Sequence, residues 1–256
     1  RRHPDMTLPR PASRLFPLLL ACLASLPLSP ASAAQPRKAE PRAAPALFSY
    51  SQSPAAMAFA DDLASRRDLD SAWVRAQIGA AQRIPSIIRA ITPPPATQPK
   101  NWAAYRARFI EPVRLGAGQR FWLANRETLA RAEAEFGVPA SLIVGVLGVE
   151  SLYGRHMGNF RVMDALVTLA FDFPASHPRA AARSEFFRGE LEQFLSLMNR
   201  SGRDPLSLRG SYAGAMGWPQ FMPSSWVKYA IDFDGDGKVD LFDSQADVIG
   251  SVANYF

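Results

Sequence analysis

Apolar positions recur at helical spacing through most of the chain beyond residue 48. Ala56, Met57, Phe59 and Leu63 fall in a stretch with few breakers, which predicts a helix over 54–66. Leu69, Trp73, Val74 and Ile78 repeat that spacing and predict a second helix over 68–82. A short run over 86–91 comes after Pro85, and Pro93, Pro94 and Pro95 stop it. Residues 49–92 therefore read as a small helical unit, too small to bury a core alone, that must pack on the rest of the chain. Trp102, Tyr105, Phe109 and Ile110, then Pro112, Leu115 and Gly116, predict a helix and a bend over 99–119. Over 121–136, Leu123, Leu129, Ala132 and Phe136 mark one helical face, and Arg126, Glu127, Arg131 and Glu135 the other. Gly137 can cap that helix and Pro139 suits the first turn of the next. The next, 140–150, is apolar all round (Leu142, Ile143, Val144, Val146, Leu147, Val149), which predicts a buried helix ending at Glu150.

Residues 162–173 are again apolar. Phe186, Phe187, Leu191, Phe194, Leu195 and Leu197 give 183–200 an amphipathic helical pattern. Residues 210–220, rich in Gly and Ala, read as close-packed turns, and 225–229 as a short helix. An acidic glycine loop covers 232–243, and Val248, Ile249, Val252 and Ala253 predict a final helix over 244–255. The sequence stops on Phe256 inside that pattern, which leads us to expect a truncated C-terminus. There is no internal repeat, and no long period-two alternation argues for a large sheet. The class expected is mostly α.

The first 34 residues are different. Arg1, Arg2, Arg10 and Arg14 precede an apolar run, Leu15 to Leu28, and small residues close it, Ser29 to Ala34. Basic, apolar, then small is the order of a secretory signal. The run contains Pro17 and Pro27 and is too short to be a good membrane span. Leu19-Leu20-Ala21-Cys22 resembles a lipoprotein lipobox, which would make Cys22 a lipidated first residue. Cleavage near Ala33 or Ala34 would instead leave no cysteine. Both routes place the protein outside the cytoplasm. Residues 35–48, composed of Pro, Ala and charge, read as a tether. With Cys22 the only cysteine, a disulfide framework and a cysteine zinc site are excluded. The net charge of +6 falls by half once residues 1–34 are removed, so charge gives no reason to expect a nucleic-acid partner.

Glu150 is where chemistry concentrates. A carboxylate at the edge of an apolar helix is partly desolvated, and the helix C-terminal dipole also disfavours its negative form. Both raise its pKa, as a general acid acting on a glycosidic oxygen requires. A helix-ending Glu that simply points into water fits the same pattern. The second feature is the stretch Gly214 to Trp226. Its small residues allow close backbone approach. Gln220 offers a donor and an acceptor. Trp218, Phe221 and Trp226 could stack on sugars, although core filling explains any one of them better.

Taken together, Glu150-Ser-Leu-Tyr-Gly154, the run Arg161 to Phe171 and the stretch Gly210 to Ser225 strongly resemble the membrane-bound lytic murein transglycosylase B family. Trp102 to Asn125, Ala132 to Pro139, the acidic loop and Ser251-Val-Ala-Asn-Tyr255 also fit, so the resemblance runs from about residue 55 to the end. Family members continue beyond the Asn-Tyr segment. The resemblance implies a lysozyme-like, goose-type-like helical core over 120–256, with an N-terminal helical region over 49–119 packed on it. It implies a periplasmic enzyme, soluble or anchored to the outer membrane, that cuts peptidoglycan glycan strands between N-acetylmuramic acid and N-acetylglucosamine. The products carry 1,6-anhydromuramic ends. By resemblance Glu150 is catalytic, Ser211, Gln220 and Tyr255 bind or orient the sugar, and Tyr153 belongs to the motif.

A glycosidase of the ordinary kind needs a second carboxylate across the cleft. Asp164 and Asp172 are the candidates, with a helix-capping role expected for Asp164. If neither faces Glu150, the intramolecular route is favoured. The acidic loop fits an EF-hand at most positions, with Asp232, Asp234, Asp236 and Asp240 as side-chain ligands, Gly237 at the turn and the Lys238 carbonyl after it. Asp243 closes the loop where a longer Glu is usual. Five carboxylates in so short a loop repel one another without a cation, so a structural calcium ion is expected. A solvated acidic turn, a sodium ion or an empty site are the alternatives. No cofactor is needed for the chemistry, and the scattered His3, His156 and His177 are given no metal. The competing functions are a hydrolytic muramidase on the same core and a non-catalytic peptidoglycan-binding protein.

Overall fold

A computed structural model describes residues 49–92 and 101–256. The expected signal, the tether, Cys22 and the triple-proline stop lie outside the described residues. Helix α1 (Pro54–Arg67) opens on Pro54 with Ser53 as its N-cap, and Asp68 ends it in a left-handed turn. In α2 (Ser71–Ala80) the cap is Asp70, whose carboxylate accepts the Trp73 N–H at 2.6 Å. Then come α3 (Pro85–Ile91), α4 (Trp102–Ala107), α5 (Pro112–Ala124), α6 (Arg126–Phe136) and α7 (Ala140–Ser151). Strand β1 (Phe160–Arg161) leads into α8 (Val162–Phe171), and after it come α9 (Ala180–Ser201), β2 (Arg209–Gly210), α10 (Pro223–Tyr229) and α11 (Gln245–Tyr255). The only ladder among the described residues pairs β1 and β2 antiparallel, with Phe160 opposite Gly210, so the mostly α expectation holds.

Two expected elements come out differently. The bend placed at Pro112–Gly116 lies earlier, at 108–111. Glu111 caps α5 by accepting the Val113 and Arg114 N–H groups, and the helix then runs through Gly116 and Gly118. The expected boundary at 119/120 therefore falls inside α5. The single helix expected over 121–136 is broken at Asn125, whose side-chain amide donates to the Phe121 carbonyl (2.9 Å) and to Gln245 Oε1 (2.7 Å). A side chain that takes a backbone acceptor competes with helix continuation.

α8 is the centre of the molecule, with nine of its ten residues buried. α9 lies along it, and its buried face of Phe187, Leu191, Phe194 and Leu195 completes the core. The N-terminal helices dock on this pair through polar contacts as well as apolar ones. Asp164 in α8 accepts the Gln82 N–H at 2.9 Å and pairs with Arg161 at 2.7 Å. It thus sits in the first turn of α8 rather than ahead of it. Thr168 accepts the Ile84 N–H, Tyr50 donates its hydroxyl to Asp172, and Arg83 pairs with the same carboxylate. Arg66 and Arg67 both reach Glu192 in α9. Among the described residues no single helix is long and apolar enough to cross a membrane.

Candidate active site

α7 is not buried all round. Ile143, Val144, Leu147 and Gly148 face the core, while Leu142 and Val149 are 42% and 45% exposed. Leu142, Val146, Val149 and Glu150 form one helical stripe, and that stripe is the open side. Neighbouring elements (α5, α6 and α11) cover only the other side, which an apolar pattern cannot indicate. Glu150 stands in the last turn, at a cavity of about 280 Å³ lined by Val146, Gln220, Phe221, Tyr255 and Phe256 among others. Partial burial pushes its carboxyl above the usual carboxylate range although the residue as a whole is exposed. Among the described residues, no hydrogen bond or ion pair holds that carboxylate, and no other Asp or Glu lines the cavity. Asp164 and Asp172 are engaged with the N-terminal helices instead. A larger cavity of about 490 Å³, walled by Leu197, Trp226 and Val239, holds no carboxylate in its lining, so size does not mark the site.

The wall opposite Glu150 is the stretch predicted as close-packed turns. Met216 and Phe221 exchange backbone hydrogen bonds, which forces a tight reversal with Gly217 and Gln220 at positive φ (69° and 53°). Gly217 has no room for a Cβ because the Leu241 carbonyl lies 2.6 Å from where it would sit. The Gln220 amide donates to the Gly217 carbonyl (2.8 Å) and the Met157 carbonyl (3.1 Å), which fixes its orientation and leaves Oε1 available at the cavity. Tyr255 of α11 reaches the same cavity, 46% exposed, with its ring 4.9 Å from Tyr229 and 5.4 Å from Phe221.

Ser211 does not join them. Its hydroxyl accepts the Ala213 and Ala215 N–H groups (3.3 and 3.0 Å) and shapes the turn, and it is not in the cavity lining. The three aromatics considered for sugar stacking are packed in or against the core, with Phe221 also at the cavity lining. Phe221 and Trp226 are each 7% exposed, and Trp218 packs on Gly154 while donating its indole N–H to the Phe242 carbonyl.

In the acidic loop Gly235 and Gly237 take left-handed conformations (φ 80° and 88°). They let the chain fold around Asp232, whose carboxylate accepts the N–H groups of Gly235, Asp236 and Gly237. Carboxylate oxygens of Asp232, Asp234 and Asp247 lie within 4.8 Å of one another. Asp236, Asp240 and Asp243 are not in that group, so it differs from the six-residue set expected. Asp236 accepts the Lys238 N–H, and Asp240 accepts the Phe242 and Asp243 N–H groups. The hydroxyl of Ser244 donates to Asp234 and holds its carboxyl below the usual range. Asp247, 1% exposed, was not among the residues expected. It accepts the N–H groups of Phe233, Asp234 and Asp240, and burial pushes its carboxyl up. Its one sequence signal is Ser244-x-x-Asp247, which reads as a helix start. The oxygen-only donor set is of the kind that suits a hard cation.

With this geometry in place, comparison with known proteins is decisive. Residues 51–256 match the family described as the Transglycosylase SLT domain. The chain belongs to this family. It is 41% identical over 215 residues to the Escherichia coli K12 protein named membrane-bound lytic murein transglycosylase B. That match covers 81% of this chain and 57% of the relative. The soluble lytic transglycosylase SltB1 from Pseudomonas aeruginosa is similar in structure (TM-score 0.72, 46% identity, 78% of this chain and 65% of that one). So is the Escherichia coli lytic transglycosylase Slt35 in complex with calcium (TM-score 0.71, 42% identity, 80% and 62%). The chain thus spans less than two thirds of the length of these relatives. Its helical fold is that of solved lytic transglycosylases, and the family expected from the motifs is borne out.

Proposed function

We propose that this transglycosylase-domain chain cleaves the β-1,4 bond between N-acetylmuramic acid and N-acetylglucosamine in peptidoglycan, leaving 1,6-anhydromuramic ends. The observation that carries the reading is a single acidic side chain, raised in pKa by burial and without a second Asp or Glu among the described lining residues. Glu150, protonated, gives its proton to the glycosidic oxygen as the C1–O bond breaks. The carboxylate so formed takes the proton of the muramic C6 hydroxyl, whose oxygen closes on C1. Glu150 ends protonated, and water is neither consumed nor needed as a nucleophile. A fixed hydroxyl within the sugar replaces the second carboxylate of ordinary glycosidases.

Gln220 presents Oε1 to the sugar, with its amide already anchored, and Tyr255 offers the exposed ring face against it. The part proposed for Ser211 is narrower, since its oxygen already accepts two backbone N–H groups. Its hydroxyl proton is what remains for the sugar. Residues 49–119 support the core rather than the chemistry. The partner is the glycan strand, not nucleic acid. The compartment is the periplasm, with Cys22 as a lipid anchor if the lipobox is processed and none if cleavage falls near Ala34. The acidic loop reads as an EF-hand-like calcium site that holds structure, built on Asp232 and Asp234 and joined by Asp247.

The test is mass spectrometry of peptidoglycan digested with the protein and with Glu150→Gln. Products lighter by one water than the reducing sugar, absent with the variant, are expected. Reducing ends would overturn the route in favour of a muramidase. Binding without cleavage by either protein would make it a wall-binding module.

A further inference from the structure

We infer that Tyr153 is a positioning residue for Glu150: its side chain, wedged between Gly118 of α5 and Gly148 of α7, sets where the last turn of α7 holds the carboxylate. The inference rests on the reading of Glu150 as the acid. Two residues on, the backbone turns left-handed three times in succession, at Leu152 (φ 51°), Tyr153 (φ 55°) and Gly154 (φ 79°). Two successive residues with side chains keep that conformation only where their surroundings over-determine it.

The surroundings are specific. The Tyr153 hydroxyl occupies the space that a Cβ would take at either glycine. It would overlap a Cβ at Gly118, and lies 2.6 Å from one built at Gly148. Its ring stacks on Phe121 of α5 at 5.2 Å, and Phe121 in turn meets Trp218 at 6.0 Å. Trp218 closes over Gly154, where again no Cβ fits. Arg114 of α5 donates to the Gly148 carbonyl at 2.8 Å, and the Tyr153 N–H reaches back to the Leu147 carbonyl at 3.1 Å. The turn is therefore gripped by α5 on one side and by the cavity wall on the other.

Glu150 needs that grip. Among the described residues nothing hydrogen-bonds its carboxylate, so its place relative to Gln220 and Tyr255 is inherited from the backbone. Tyr255 of α11 is the other ionisable side chain in the lining of its cavity.

The test uses four variants of the full chain: Tyr153→Phe, Tyr153→Ala, Gly118→Ala, and Gly118→Ala combined with Tyr153→Phe. Rates on soluble glycan oligomers are measured well below each variant's unfolding temperature. Tyr153→Ala is expected to lower kcat by about 10²-fold with KM within about 2-fold, the signature of a displaced acid. Gly118→Ala should do the same, because its methyl collides with the hydroxyl. The double variant should recover most of the rate. Without the hydroxyl the nearest ring carbon is 3.2 Å from the new methyl, tight but tolerable.

A second readout does not need turnover: the titration of the Glu150 carboxyl tracked by carbon NMR. Tyr153→Ala and Gly118→Ala should move it towards an ordinary glutamate, and the double variant should return it, with Arg114 and Tyr255 untouched throughout. Unchanged kcat and titration in folded Tyr153→Ala and Gly118→Ala, or no recovery in the double variant, would overturn the inference. Should the unaltered protein release no anhydro product, the proposed activity fails while the titration still decides the role of Tyr153.

Discussion

A carboxyl that must donate a proton near neutral pH needs an environment that penalises its charge, and Glu150 has one. Its pKa is raised by burial, so the folded state holds this proton more tightly than the unfolded chain does. Stability is therefore lost as pH rises from the unfolded value of about 4.3 through the raised folded value. Glu150→Gln removes that cost. The variant should melt higher than the unaltered protein at pH 7, with the difference closing below about pH 4, in calorimetry across that range. Activity should fall along the same ionisation, since only the protonated form can act first. The same substitution should lower the cleavage rate by at least about 10²- to 10⁴-fold. At this scale the motif made Glu150, Gln220 and Tyr255 legible. It did not show that the Ser211 oxygen accepts two N–H groups within its own turn, or that Asp247 gathers three. Both facts depend on backbone donors whose positions no side-chain pattern encodes.

Elements carry these residues to one place. α10 supplies Ser225 to the cavity wall and starts at Pro223 with no side-chain cap of its own. Its cap comes from α9: Glu190, 4% exposed, accepts the Ser224 N–H at 2.9 Å and the Ser224 hydroxyl at 2.6 Å. Glu190→Ala would remove the cap from the exposed Ser224 and should cost about 1 kcal/mol in denaturant unfolding. Helix existence was readable from spacing almost throughout. The break at Asn125 was not, because it depends on Gln245 in α11, 120 positions away. Nor was the open face of α7. Its sequence is apolar on every side, and only the neighbours it receives decide which stripe stays uncovered.

For the molecule as a whole, the N-terminal helices and the core are joined by charge and hydrogen bonds at α8. Asp164, 5% exposed, is their main junction. Asp164→Ala would remove the partner of the half-exposed Arg161 and of the Gln82 N–H, and should destabilise the fold by about 1–3 kcal/mol in urea unfolding. The acidic loop is tied to α11 through Asp247. If calcium binds there, adding it to about 100-fold over its Kd should stabilise the fold by about 2.7 kcal/mol. Thermal melts with calcium and with chelator should show the shift, and Asp232→Asn should lose it. By itself the sequence determined the helical class, the succession of elements and the family. These depend on local spacing and on motifs contiguous in the chain. Only the tertiary structure decided which face of α7 stays open, which of the motif residues meet there and which carboxylates share the loop. Each of those is a relation between segments far apart in sequence, fixed by which surfaces cover one another when the core closes.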